Sequence, residues 1–154
     1  MLRHIMANFP APRGLLFDHQ DVVRAIPPGE LMDGRIAVMS GSFFDDVPAG
    51  ADIYTLMSVL HDWPDEDCAR ILRACRAVMG QRMLLLIGER LLEPDPTRGR
   101  QTDYLTDIQM MAMFGGARAR TNDEFRRLLA EADFELQRII PTGSPISLVE
   151  AAAA

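Results

Sequence analysis

The sequence contains no lysine: all 16 of its basic residues are arginine. Chemistry that needs a lysine amine, such as a Schiff base, is therefore excluded. Excess positive charge is lacking too. The formal net charge is −6 and the arginines are scattered, which argues against nucleic acid as a partner. No apolar run approaches the ~20 residues that a membrane-spanning helix requires, so no membrane partner is expected. The opening MLRHIMANFPAPRG has no apolar stretch of the kind a secretory signal carries, and a cytoplasmic location is the expectation. Cysteine is scarce. Cys68 and Cys75 stand seven apart, which in a helix puts them on one face, two turns apart and too distant to bridge. Both read as small buried hydrophobes.

What the chain does have is enough apolar material for a core: 48% of 154 residues. The length suits one domain over residues 1–150, with 151–154 as a frayed tail. Gly14–Asp18, Arg35–Met39, Asp52–Leu60 and Met83–Ile87 are short, nearly continuous apolar runs. Such runs belong to strands buried on both faces, hence to a parallel sheet. Between them, Cys68, Ile71, Leu72, Cys75, Val78 and Met79 recur at helical spacing, and Gly80 stands where a C-cap belongs. A Met-rich helix follows over 105–114. Thr121-Asn-Asp-Glu124 has the form of a capping box opening a further helix. Phe134–Pro141 and Ile146–Glu150 read as a final hairpin-like pair of strands. Alternating strands and helices give an α/β, doubly wound domain, in which ligands sit at the carboxyl ends of the strands.

Three strand runs end in groups able to do chemistry: Asp18, His61 and Glu89. If their strands are parallel, the three share one edge of the sheet. A neutral imidazole at His61 can take a proton from a hydroxyl near neutral pH; the alternative is a histidine that only satisfies a loop carbonyl. Glu89 can orient His61 from the neighbouring strand, or be a surface acid. Asp18 can accept two ribose hydroxyls, or serve as an N-cap. Met110, Met111, Met113 and Phe114 can line a flat apolar pocket, or be plain core. Asp62, before Trp63-Pro64-Asp65-Glu66, most simply starts a helix.

The segment Val59-Leu-His-Asp-Trp63, with Asp65-Glu-Asp67 and Ile71-Leu72 behind it, resembles the catalytic segment of the S-adenosylmethionine-dependent O-methyltransferases. That family includes plant caffeate enzymes and bacterial polyketide and antibiotic enzymes. The resemblance extends, in order, through Gly14–Asp18, Ser40-Gly-Ser-Phe-Phe44, Leu86-Ile-Gly-Glu89, Gly116–Thr121 and Ser144-Pro-Ile-Ser147. It implies a Rossmann-like sheet, mostly parallel with an antiparallel C-terminal pair. It implies methyl transfer from S-adenosylmethionine, without a metal, to a hydroxyl, usually phenolic, of a small secondary-metabolite-like acceptor. In that reading His61 is the general base and Glu89 steadies it. Asp18, Ser42, Phe43 and Met57 border the cofactor; Asp107, Met110, Met111 and Phe114 border the acceptor.

The sequence departs from the family pattern at three of these places. Ser42 stands where an acid is typical, Met57 where a basic residue is common, and Ala119 where a second glutamate often flanks the histidine. The resemblance also places the family's glycine-rich loop, central first strand and helical dimerisation domain before residue 1. The expectation is therefore a sheet lacking that strand, which either lets the strands ending at Asp18 and Leu60 pair directly or draws in a homodimer partner or other chain. The alternative function is a catalytically inactive remnant or interaction module that keeps the fold.

Overall fold

The computed structural model describes every residue except Asp33, and every side chain except those of Asp33 and Phe114. The chain divides into two compact units, Met1–Pro48 and Ala49–Ala154.

In the first unit, helix α1 (Leu2–Asn8) precedes strand β1 (Gly14–Asp18), helix α2 (Gln20–Arg24) and strand β2 (Ile36–Ser40). β1 and β2 pair in parallel from Gly14↔Ile36 to Asp18↔Ser40, so both carboxyl ends lie at one edge. Arg35 ties α1 to this pair. Its guanidinium donates to the carbonyls of Met6 (2.8 Å), Phe9 (2.8 Å) and Pro12 (3.0 Å), all beyond the reach of helical bonding. Gly41 follows β2, at a position where a side chain would strike the Phe17 ring.

The second unit runs through β3 (Ile53–Met57), a 3-10 turn (Leu60–Asp62), α3 (Asp65–Val78), β4 (Leu84–Glu89) and β5 (Leu91–Leu92). It continues through α4 (Gln101–Phe114), β6 (Arg120–Thr121), α5 (Asn122–Ala130), β7 (Phe134–Pro141) and β8 (Ser147–Ala153). The main sheet has the order β3-β4-β8-β7. β3 and β4 are parallel, and β8 runs antiparallel to both its neighbours. β5 and β6 make a short parallel pair, Leu91↔Arg120 and Leu92↔Thr121. Ile71 and Leu72 of α3, Leu85 and Ile87 of β4, Phe125 and Leu129 of α5, Phe134 and Val149 are buried together as the core. The parallel core, the antiparallel C-terminal pair and the flanking helices are those of an α/β Rossmann-like fold.

Several local expectations are corrected. The strand predicted over 52–60 ends at Met57, because Ser58 takes a left-handed conformation (φ 55) and the chain turns into the 3-10 segment. His61 is thus on a turn beyond the strand. α3 closes through an extended Met79 rather than a left-handed Gly80; Arg76 covers the helix end by donating to the Met79 carbonyl (3.0 Å). The left-handed cap is Gly115 (φ 66), at the end of α4, where any other residue is strained. Asp62 does not start α3, whose N-cap is Pro64. The tail predicted to fray is instead the end of β8: Ala151 is fully buried between Leu85 and Leu136. β1 pairs with β2 and β3 with β4, in separate sheets, so the strands ending at Asp18 and Leu60 do not pair directly.

Candidate active site

Glu89 is the last residue of β4 and only 1% exposed. Because β3 and β4 are parallel with Met57 opposite Gly88, the carboxylate emerges beside the turn that follows β3. It is fully engaged there. The backbone N–H groups of Val59 (3.0 Å) and Leu60 (2.8 Å) donate to Oε1, and His61 Nδ1 lies 2.7 Å from Oε2. A carboxylate only accepts, so Nδ1 carries the proton and Nε2 of a neutral ring presents a lone pair. The reading of Glu89 as a surface acid is overturned by its burial.

The hydrogen bond to Glu89 holds the His61 pKa above its ordinary value of 6.5. Burial opposes this, the charges of Glu89 and Asp62 add to it, and the Arg120 charge works against it. Asp62 approaches the other nitrogen, with Oδ1 at 3.3 Å from Nε2.

His61 and Glu89 border a cavity of about 250 Å³, with Ser58, Arg90, Thr106, Asp107, Met110, Ala119 and Ile146 around it. Asp107 accepts from the Ala119 N–H (2.5 Å), which fixes α4 against the approach to β6. Arg90 is held by an ion pair with Asp103. Met57 lies across Gly88, its register partner, where a side chain would collide with it. The cavity therefore mixes a base, charged groups and apolar wall, the composition of a small-molecule site.

Sequence reasoning missed the underside of this site. Arg120 is 1% exposed, and its guanidinium donates to the carbonyls of Leu60 (2.8 Å) and Trp63 (2.8 Å) and to Asp65 Oδ1 (2.8 Å). The Cys68 thiol also donates to the Leu60 carbonyl (3.1 Å), and burial pushes its pKa up to about 11. The only signal in the sequence was an arginine beside alanines in the segment 116–121, which says nothing of burial.

The model of the O-methyltransferase domain matches residues 1–135, most of the chain and every feature just described up to β7. The chain belongs to the O-methyltransferase domain family. Phenazine O-methyltransferase of Lysobacter antibioticus is 38% identical over 98% of this O-methyltransferase domain and 44% of the relative. The mitomycin 7-O-methyltransferase structure superposes with a TM-score of 0.91 at 31% identity, covering 99% of this chain and 45% of that one. An O-methyltransferase from neocarzinostatin biosynthesis, solved with S-adenosylmethionine and 2-hydroxy-5-methyl naphthoic acid, superposes with a TM-score of 0.85 at 31% identity. It too is covered over 45% of its length, so the chain spans less than half of these relatives.

The remaining residues assigned from the sequence fall into two groups. Asp18, Ser42 and Phe43 of the O-methyltransferase domain belong to the first unit. Asp18 ends β1 half-buried, and its Oδ1 accepts from the next N–H, His19 (2.7 Å); a carboxylate has further lone pairs, which suit a diol. It is not the N-cap of α2: that position is His19, which makes no side-chain cap bond. The Ser42 hydroxyl accepts from the Phe44 N–H (3.2 Å), and the Phe43 and Phe44 rings lie 5.0 Å apart. By their chemistry a carboxylate suits a ribose diol and an aromatic ring the face of a base. In the second unit, Asp107 and Met110 line the cavity, whereas Met111 is 45% exposed on α4 and outside the lining. Met113 is exposed as well, so the Met-rich face is neither wholly pocket nor core. The Phe114 side chain lies outside the described residues.

Proposed function

We propose that this chain carries O-methyl transfer from S-adenosylmethionine to a phenolic hydroxyl of a small aromatic acceptor, with His61 as general base. The observation that supports it most directly is the buried Glu89 carboxylate at 2.7 Å from His61 Nδ1, on the wall of a cavity of suitable polarity. Relatives whose names specify phenazine and 3-amino-4-hydroxybenzoate substrates make a planar hydroxylated acceptor the natural class.

Bound S-adenosylmethionine supplies an electrophilic methyl group on a good leaving group. Asp18 would hold its ribose and Phe43 its adenine, while Ser42 shapes the loop carrying Phe43. Met57, flattened over Gly88, offers a sulfur-bearing wall near the base. Glu89 keeps the proton on Nδ1 and thereby leaves Nε2 free to accept the hydroxyl proton. Asp107 and Met110 border the acceptor, with Met111 and Phe114 further along α4. Deprotonation gives the hydroxyl oxygen its nucleophilicity; alignment supplies most of the remaining rate.

The test is calorimetric titration with S-adenosylmethionine and S-adenosylhomocysteine, followed by a screen of phenolic acceptors against His61→Ala. Micromolar cofactor binding and His61-dependent product support the proposal. A folded chain that binds neither cofactor at millimolar concentration would instead be the inactive remnant or interaction module.

A further inference from the structure

The turn that carries His61 is gripped by opposite charges on its two backbone faces. Glu89 takes the N–H groups of Val59 and Leu60, and Arg120 takes the carbonyls of Leu60 and Trp63. Both charged groups are 1% exposed. The topology puts them there: Glu89 ends β4, and two residues later Leu91 pairs with Arg120 itself. Asp65, in the first turn of α3, takes the Nε–H (2.8 Å) and also pairs with Nη2 (2.7 Å), so Nη1 donates to the Leu60 carbonyl while Nη2 is shared between Asp65 and the Trp63 carbonyl. A 3-10 segment of three residues has little to keep its own shape, here two long backbone bonds, Asp62 N–H to the Val59 carbonyl (3.2 Å) and Trp63 N–H to the Leu60 carbonyl (3.3 Å). Besides Arg120, weaker donors reach these carbonyls: the Cys68 thiol at 3.1 Å from the Leu60 oxygen and 3.4 Å from the Trp63 oxygen, and the Trp63 N–H at 3.3 Å from the Leu60 oxygen.

We propose that Arg120 is a positioning residue for the base: by spanning the Leu60 and Trp63 carbonyls it sets the turn at the height where His61 Nδ1 meets Glu89. This rests on reading His61 as the base, and it extends that reading to a residue that touches neither the ring nor the cavity. A planar guanidinium is required, because two parallel donors reach two carbonyls at once; a lysine ammonium in its place is a single point on a flexible stem. Cys68 supports the same Leu60 carbonyl, so loss of Arg120 loosens the turn without abolishing its anchorage.

The test uses the full chain with isotope-labelled histidine, observed by NMR. The Nδ1–H proton of His61, held by Glu89, is expected as a downfield resonance protected from water. In Arg120→Lys and Arg120→Gln that proton exchanges at least about tenfold faster, while amide peaks of α5 and β7 keep their positions. Arg118→Gln is the control: Arg118 shares Asp65 (2.8 Å) but bonds no part of the turn, so the resonance stays. Should Arg120→Gln fail to fold, Arg120→Lys, which keeps the charge, decides alone. A folded Arg120→Lys protein with unchanged exchange overturns the assignment, as does equal loss in Arg118→Gln or absence of the resonance from the parent chain. The readout is independent of methyl transfer: a chain that never methylates yet shows this pattern sinks the function and keeps the positioning role, and the converse result does the reverse.

Discussion

His61 stands between two carboxylates with different effects. Glu89 fixes the proton on Nδ1, and Asp62 lies 3.3 Å from Nε2, the nitrogen that accepts a proton in the proposed reaction. His61→Ala is expected to lower the methylation rate by about 10²–10⁴, the usual contribution of a general base. Glu89→Gln is expected to cost a similar factor, because the amide favours the opposite tautomer and Nε2 then carries the proton. Both are read as kcat at saturating donor. The raised His61 pKa sets the sign of the pH dependence. The ring must be neutral, so rate rises with pH through a midpoint above 6.5. Asp62→Asn removes one of the charges that raise it, so its midpoint moves toward acid. A midpoint unchanged in Asp62→Asn would show that Asp62 does not act on the ring. At this scale the sequence singled out His61 and Glu89 as candidates from run ends and residue chemistry; the structure brings the two to 2.7 Å, with His61 on the turn beyond β3 rather than at its end. The sequence did not identify Arg120, since the burial of an arginine depends on which carbonyls surround it.

At the scale of elements, the most faithful signals were local ones. The capping box was readable because its partners are three residues apart: Thr121 Oγ1 accepts from the Glu124 N–H, and Glu124 Oε2 accepts from the Thr121 N–H (2.8 Å). Thr121→Ala is expected to cost about 1 kcal/mol in denaturant unfolding. The α3 face was readable for the same reason, and Ile71→Ala, at a fully buried position, is expected to cost about 2–5 kcal/mol. Caps that depend on backbone conformation were harder. Gly80 and Gly115 both follow helices, yet only Gly115 is left-handed. Gly115→Ala is therefore expected to destabilise by about 1 kcal/mol, with Gly80→Ala close to neutral; equal effects would contradict the assignment. The early end of β3 came from Ser58, whose positive φ no residue pattern announces.

For the molecule as a whole, ionisation on the two sides of neutrality acts in opposite senses. Burial pushes the Asp65 pKa up, but Arg118 and Arg120 outweigh it and hold the group below its usual value; Glu124 is likewise lowered, by Thr121 and Arg118 against burial. Their stabilisation is complete above the ordinary carboxylate range and is lost as pH falls through the lowered values. His61 is the opposite case: raised in the fold, it contributes fully below 6.5 and the contribution disappears as pH rises through its folded value. Stability measured by urea unfolding is thus expected to be greatest between about pH 4.5 and 6.5, declining on both sides. The decline that sets in just above pH 6.5 is expected to vanish in His61→Ala, leaving the later one, at which the buried thiols of Cys68 and Cys75, raised to about 11, come into play.

By itself the sequence determined the α/β class, the order of strands and helices, and the family, because apolar periodicity and short motifs are local in the chain. It also put His61, Glu89 and Asp18 forward as candidates, since parallel strands carry their chemistry at the carboxyl ends. Only the tertiary structure decided that Ala151–Ala153 are sheet rather than tail, that Met110 faces the cavity while Met111 does not, and that Arg120 holds the His61 turn. Each of those outcomes is set by residues tens of positions away, through ladder pairing, helix rotation or a buried carbonyl, and none of these distant partners is written in the neighbouring residues.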